Sequence, residues 1–329
     1  MLEGRWRVNK IKVDLFTARA GGPYQWGRDL LMELPRWGIE ANHIASYNGY
    51  VASLMRTDAD LIHTTVPIPF KLWHKPTLLT VQGDYTEEHN FLQRYYPMMV
   101  ANADAITTSS QHVKDKIPLP ATATVIPNPI FPDRFKATEH GTRKKLNLVT
   151  VMNLYFKDKV QGLVDLFSAL EKSGLTDFRC IVVGDGPYKQ AIEAHALRTG
   201  LDIIFCGWLE DVGLVLSNSD IFVYYTHQDS FPNTITEAMA SKLPVIINNF
   251  GSIGEIVEHG HDGLVADNPE QFAEALRSLF ASVEYRRELG ENARASVVRK
   301  FNWRVVISRF LQIYGRLLGK EEIWLKRQG

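Results

Sequence analysis

Short apolar runs rich in Val, Ile and Thr recur along the chain, with helical patterns between them. In the first half they are IKVDLF (11–16), DLIHTT (60–65), TLLTVQ (77–82), DAITTS (104–109) and ATVIPN (123–128). In the second half they are LNLVTVM (146–152), FRCIVVG (178–184), DIIFCG (202–207), DIFVYYT (220–226) and PVIINN (244–249). Several are continuous rather than alternating, which is how strands buried on both faces of a parallel sheet read. Strand–helix alternation then predicts βαβ units and doubly wound sheets. Between the two sets lies FKATEHGTRKK (135–145), polar, charged and glycine-containing, which reads as a linker. A chain of 329 residues is long for one domain. The expected architecture is therefore two Rossmann-like α/β domains facing across a cleft, at 1–140 and 141–305, followed by a helix at 306–329. In FNWRVVISRFLQIYGRLL, Trp303, Val306, Ile307, Phe310, Tyr314, Leu317 and Leu318 share one helical face and read as packing surface.

Charge narrows the partners. Lys and Arg number 37, Asp and Glu 37, so the formal net charge is zero, which argues against a general nucleic-acid binder. The two cysteines, Cys180 and Cys206, each lie in an apolar run and read as buried core thiols of a reducing compartment. No apolar stretch approaches about 18 residues, so no transmembrane helix is expected, and no secretory leader is evident. The expected location is cytoplasmic. Trp26, Leu30, Leu31 and Trp37, with Arg28 and Arg36 nearby, offer a weaker alternative: a peripheral contact with the inner face of a membrane. An ordinary amphipathic helix packed on its sheet competes with it. No obligate protein partner is evident.

In an open parallel sheet, ligands bind beyond the carboxyl ends of the strands, so the informative loops are those that follow strands. The stretch THQDSFPNTITEAMASKLPVI (226–246) carries Asp229 and Glu237. On a single helix that spacing would set the two carboxylates roughly 80° apart. The segment divides instead into a strand, the loop HQDSF, and a helix over NTITEAMASKL preceded by Pro232. Asp229 then stands on the loop and Glu237 about a turn and a half into the helix, on either side of a helix N-terminus that suits an anion. Alternatively, Asp229 is a helix cap and Glu237 a solvated residue. The loop NLYFKDKVQG (153–162) brings Lys157 and Lys159 to another strand end, where cations could neutralise a phosphate leaving group. Glycine turns follow further strands: GGPYQWGRD (21–29), GDGP (184–187) and FGSIGEIV (250–257). None is a G-x-G-x-x-G fingerprint. The DAD at 58–60 precedes a strand, and HGHDG (259–263) lacks a third ligand, so neither is read as a metal site. No G-x-S-x-G is present.

The segment DSFPNTITEAMASKLPVI resembles the signature of the family 4 retaining glycosyltransferases, which have the GT-B fold. VIPNPI, VVGDGPYKQAIEAHALRTGL and FGSIGEIVEHGHDGLV are similar to further segments of that family, in the same order, and the resemblance covers most of 125–318. It implies that Glu237 holds the ribose hydroxyls of a nucleotide-sugar donor and that Asp229 contacts the transferred sugar. It also implies that Ser230, Phe231, Asn233 and Thr234 contact the sugar and diphosphate through backbone or side chain. Lys159, with Lys157 as competitor, would sit on the diphosphate; Gly21 and Gly22 match the family's N-terminal glycine loop; Trp208 would border the nucleobase. The C-terminal helix would cross back to brace the N-terminal domain. Three positions depart from the pattern: Asp229 stands where the family usually has Glu, Asn153 where it has Arg, and Gln82 where it often has His at the donor sugar.

The expectation is a retaining, metal-independent glycosyltransferase without a resident cofactor, moving a hexose from a nucleotide sugar to a saccharide or lipid-linked acceptor. Its rivals are a GT-B-like sugar-nucleotide epimerase, which would turn over without an acceptor, and an inactive nucleotide-sugar-binding homologue.

Overall fold

The computed structural model describes residues 10–19, 21–56, 58–67, 75–86, 93–137 and 144–321. Residues 138–143, the centre of the expected linker, lie outside them. The chain divides into two compact units, Met1–Pro129 with Trp303–Gly329 and Ile130–Asn302. The division thus falls at Pro129/Ile130 and Asn302/Trp303.

In the first unit the strands are β1 (Ile11–Phe16), β2 (Ile39–Ile44), β3 (Leu61–Thr64), β4 (Thr77–Val81), β5 (Ala105–Thr108) and β6 (Thr124–Val125). They form one sheet in the order β2-β1-β3-β4-β5-β6, with every pairing parallel. Its helices are α1 (Gly21–Glu33), α2 (Tyr47–Arg56), α3 (Tyr96–Asn102) and α4 (Gln111–Lys116). The central strands β3 and β4 are buried along their full length, on both faces, which is why neither shows an alternation of apolar and charged residues. The edge strand β2, with Glu40 and Asn42 facing outward, escaped the sequence reading because it lacks that signature.

In the second unit, β7 (Leu146–Val151), β8 (Phe178–Val183), β9 (Ile203–Gly207), β10 (Ile221–Tyr224), β11 (Val245–Asn248) and β12 (Leu264–Ala266) form a parallel sheet. Its order is β12-β11-β10-β7-β8-β9. The helices are α5 (Lys157–Ser173), α6 (Lys189–Thr199), α7 (Gly213–Ser217), α8 (Asn233–Ala240), α9 (Pro269–Ala281) and α10 (Val283–Lys300). The chain runs outward from β7 through β8 to β9, then returns to lay β10 on the other side of β7. That reversal makes β7 and β10 the topological switch point, where an open parallel sheet binds its ligand.

The last helix, α11 (Trp303–Leu318), packs on α1 and β3 of the first unit. Of the expected stripe, Trp303, Val306, Ile307, Phe310 and Tyr314 are buried, and Leu317 and Leu318 half-buried. Trp26 of α1 lies 5.9 Å from Trp303 and 5.6 Å from Phe310, ring to ring. Trp26 and Leu30 are therefore buried core residues and are withdrawn from any interfacial face. Among the described residues no helix is long and apolar enough to cross a membrane.

One cysteine departs from expectation. Cys180 is buried, but Cys206 is exposed. The reason is topological: β9 is an edge strand, and the register with β8 slips between Val182 and Val183, leaving Cys206 as the bulged residue.

Candidate functional site

The loops that leave β7 and β10 lie side by side because those strands are paired, Ile221 opposite Leu148 and Phe222 opposite Val149. From the first loop α5 begins at Lys157, with no side-chain cap. Its first turn carries Lys157 and Lys159 on either side of Asp158. A cation is disfavoured at the positive end of a helix by about 0.3–1 kcal/mol, and an anion beside the two lysines offsets that cost. Gly162 lets α5 approach the other loop closely: a Cβ there would collide with the Tyr225 carbonyl oxygen and lie 2.6 Å from the Thr226 Cα. Lys159 thereby reaches Asp229, Nζ to Oδ2 at 2.7 Å, both side chains nearly enclosed at 12% and 11% exposure. Asn153 is exposed on the loop and Lys157 at the first position of α5.

Asp229 is held from three directions. Its Oδ2 also accepts from the Tyr224 hydroxyl at 2.7 Å, and its Oδ1 accepts from the Ser230 amide at 2.9 Å. Tyr224 is fully buried on β10, and burial first, then the Asp229 charge, pushes its hydroxyl well above the ordinary tyrosine range. It therefore stays protonated and donates. Asp229 makes no cap on α8, whose N-terminus has no side-chain cap.

That N-terminus is the second anion-suited element of the site. Inside it, Asn233 Oδ1 and Thr234 Oγ1 are buried with no hydrogen-bond partner among the described residues. Buried polar atoms of this kind cost stability unless a ligand or water satisfies them. Glu237 is half-buried on the same helix, one turn further on. Phe231 points the other way: its ring is buried 5.8 Å from that of Phe301, so only its backbone can serve a ligand.

The loop between β10 and α8 is pinned by residues that the sequence reading passed over. Asn248, buried at the end of β11, accepts from the Thr226 amide at 2.9 Å and donates to the Thr226 carbonyl at 2.8 Å. His227 Nε2 lies 2.6 Å from Asp165 Oδ2 of α5. A polar residue closing an apolar strand, as Asn248 closes PVIINN, was the available signal. Tyr224 gave none, because within DIFVYYT it reads simply as core.

The GDGP loop leaves β8 beside them. Gly184 and Gly186 have φ of +147° and +153°, and a Cβ on either would overlap the carbonyl of Met152 or Leu154. The glycines fold this loop onto the end of β7, where the Leu154 amide donates to the Asp185 carbonyl at 2.9 Å. Trp208, just past β9, is 70% exposed.

The remaining expected residues stand on the first unit, also at strand ends. Gly21 and Gly22 open α1 after β1, exposed, with room for a ligand where a side chain would be. Gln82 follows β4; its Nε2 is buried without a partner among the described residues. Neither carboxylate motif set aside as a metal site is idle. Asp58 pairs with Lys12, and Asp60 accepts from the Lys12 amide at 2.9 Å. His259 Nδ1 accepts from the Val265 amide at 2.9 Å, and Asp262 Oδ1 from the Glu258 amide at 2.6 Å.

Two parallel-sheet α/β units of this kind, with anion-suited helix starts at the strand ends, define the GT-B class. Residues 133–296 match the family described as "Glycosyl transferases group 1". N-acetyl-alpha-D-glucosaminyl L-malate synthase of Bacillus anthracis is 28% identical over 171 residues, 51% of this chain and 44% of that protein. D-rhamnosyltransferase WbpZ of Pseudomonas aeruginosa is 26% identical over 286 residues, 73% of this chain and 69% of that protein. The first curated relatives are matched over less than half of their own length. Sucrose-phosphate synthase of Thermosynechococcus elongatus shares the fold with a TM-score of 0.77 at 16% identity, over 94% of this chain and 99% of that one. Anabaena Alr3699/HepE, solved in complex with UDP and glucose, has a TM-score of 0.78 at 17% identity, over 93% of this chain and 100% of that one.

Proposed function

We propose that the protein is a retaining, metal-independent hexosyltransferase of the family 4 type. It would take a nucleotide-sugar donor on the 130–302 unit and pass the hexose to a hydroxyl of a saccharide or lipid-linked acceptor. The observation that carries this reading is the Lys159–Asp229 pair at the β7/β10 switch point, set beside the uncapped start of α8, where Asn233 Oδ1 and Thr234 Oγ1 have no partner among the described residues. The donor's diphosphate lies on Lys159 and the two helix starts, where developing charge on the departing oxygen is stabilised without a metal. Glu237 accepts from the ribose hydroxyls, and the free lone pairs of Asp229 Oδ1 receive a sugar hydroxyl.

In the transfer, the bond from the anomeric carbon to the diphosphate oxygen breaks and a bond to the acceptor oxygen forms on the same face. The acceptor's proton passes to the departing phosphate oxygen. Both oxygens of Asp229 already accept hydrogen bonds, which supports this front-face route over attack by Asp229 itself.

Thermal-shift titration with UDP, GDP, ADP and their sugars tests the reading, since a ligand that binds only the folded state raises Tm. One nucleoside diphosphate should stabilise the protein, and Glu237→Ala should weaken its calorimetric affinity by about 100-fold or more, the worth of two charge-assisted hydrogen bonds. No shift with any nucleotide would remove the assignment. Consumption of the donor sugar nucleotide without an acceptor would point to the epimerase instead.

A further inference from the structure

The Lys159–Asp229 pair poses a physical problem for the function just proposed. A lysine that must meet a phosphate is already neutralised by a nearby carboxylate, and both are almost enclosed. If Lys159 turned to a ligand, it would leave Asp229 short of donors, and an enclosed carboxylate without them is costly. Tyr224 answers this. Its hydroxyl donates to Oδ2, the same oxygen that Lys159 holds, from a side chain buried on β10 with no freedom to leave.

We infer that Tyr224 is a positioning residue that keeps Asp229 satisfied while Lys159 exchanges from the carboxylate to the donor's diphosphate. The inference rests on the proposed donor site and assigns it a residue outside the resemblance. The hydroxyl does two things. It shares the charge on Oδ2, so the ion pair is weaker than an unshared one. It also fixes the carboxylate plane with Oδ1 turned to the Ser230 amide, so the shorter acid at this position keeps one geometry in both states.

The consequence is selective. Tyr224→Phe removes one oxygen atom from a buried ring and leaves Oδ2 of the ion pair without the hydroxyl that competes with Lys159 there. Lys159 then stays on Asp229, and affinity for a diphosphate falls while affinity for the matching monophosphate, which needs Lys159 less, does not. Because Tyr224 acts only through Asp229, its effect should vanish when that charge is gone.

Calorimetry with UDP and UMP, or GDP and GMP if the wild type prefers guanine, on four chains tests this: wild type, Y224F, D229N and Y224F/D229N. The expected result is a loss of about tenfold in diphosphate affinity for Y224F, the size of one hydrogen bond to a charged group. The monophosphate affinity should be unchanged, and Y224F should add no further change in the D229N background. Equal diphosphate affinities of wild type and Y224F, or the same Y224F loss with Asn at 229, overturns the inference. Where Y224F alone is too unstable to titrate, the double variant decides. Recovery of Tm on adding D229N supports the link through Asp229, and no recovery overturns it. If the wild type binds no nucleotide, the failure lies with the donor site itself.

Discussion

At the scale of single residues, environment separates side chains that the sequence presents alike. Cys180 and Cys206 sit in similar apolar runs, yet burial pushes the Cys180 thiol up to about 12, while Cys206 stands on a bulged edge strand in solvent. Only thiolate reacts with a disulfide reagent, and only where the reagent can reach it. In native protein one thiol per chain should titrate rapidly with Ellman's reagent at pH 8, and the second only in denaturant. Cys206→Ser should remove the fast phase, and two fast thiols, or none, would contradict the assignment. The same contrast explains how much of the site was readable. Asp229 and Lys159 could be picked out because charged residues after apolar runs mark strand ends, and Glu237 because the helix that follows Pro232 carries it. Tyr224 and His227 could not, because a hydroxyl or an imidazole in or beside a buried strand shows its partner only when the fold brings Asp229 and Asp165 against it.

At the scale of elements, the strands legible beforehand were those with apolar runs; the two missed, β2 and β12, are both sheet edges. An edge strand has one bonded neighbour and a weaker demand for burial, so its sequence carries less pattern. The connection of α11 to β3 was also beyond pattern reading, since it joins residues 251 apart. His63 of β3 makes it: Nδ1 lies 2.6 Å from the Tyr314 hydroxyl, and Nε2 lies 2.7 Å from Thr80 Oγ1. Burial lowers the His63 pKa to about 3 from 6.5, so the folded protein keeps this ring neutral. In the unfolded chain it takes a proton below about pH 6.5. The contribution of His63 is thus complete above pH 6.5 and is lost as pH falls from there toward 3, at up to about 1.4 kcal/mol per pH unit. Urea titrations at pH 7, 5.5 and 4.5 should show the wild type losing more stability than His63→Gln over that window. Parallel losses in the two proteins would exclude a neutral buried imidazole.

At the scale of the whole molecule, the two units differ in how the chain makes them. The 130–302 unit is continuous, and its ends meet: the Ile130 amide donates to the Phe301 carbonyl at 2.8 Å, and Ile130 and Asn302 form a β-bridge. The other unit is discontinuous and is completed only when α11 arrives. That helix buries Trp303, Val306, Ile307, Phe310, Leu311, Ile313 and Tyr314. At about 1.5–3 kcal/mol for each large apolar side chain removed from water, these contacts rival the whole stability of a typical domain, about 5–15 kcal/mol. A chain ending at Asn302 should therefore lose the first unit, since Trp26, Leu30 and His63 would be uncovered, and keep the second. The fragment 130–302 should melt cooperatively by itself and retain the nucleotide affinity of the full chain within a few-fold, because Lys159, Asp229, Glu237 and the start of α8 all lie inside it. The fragment 1–129 should bind a hydrophobic dye and show no cooperative transition. A cooperative melt from 1–129 alone would mean that α11 is an accessory to that unit rather than part of its core.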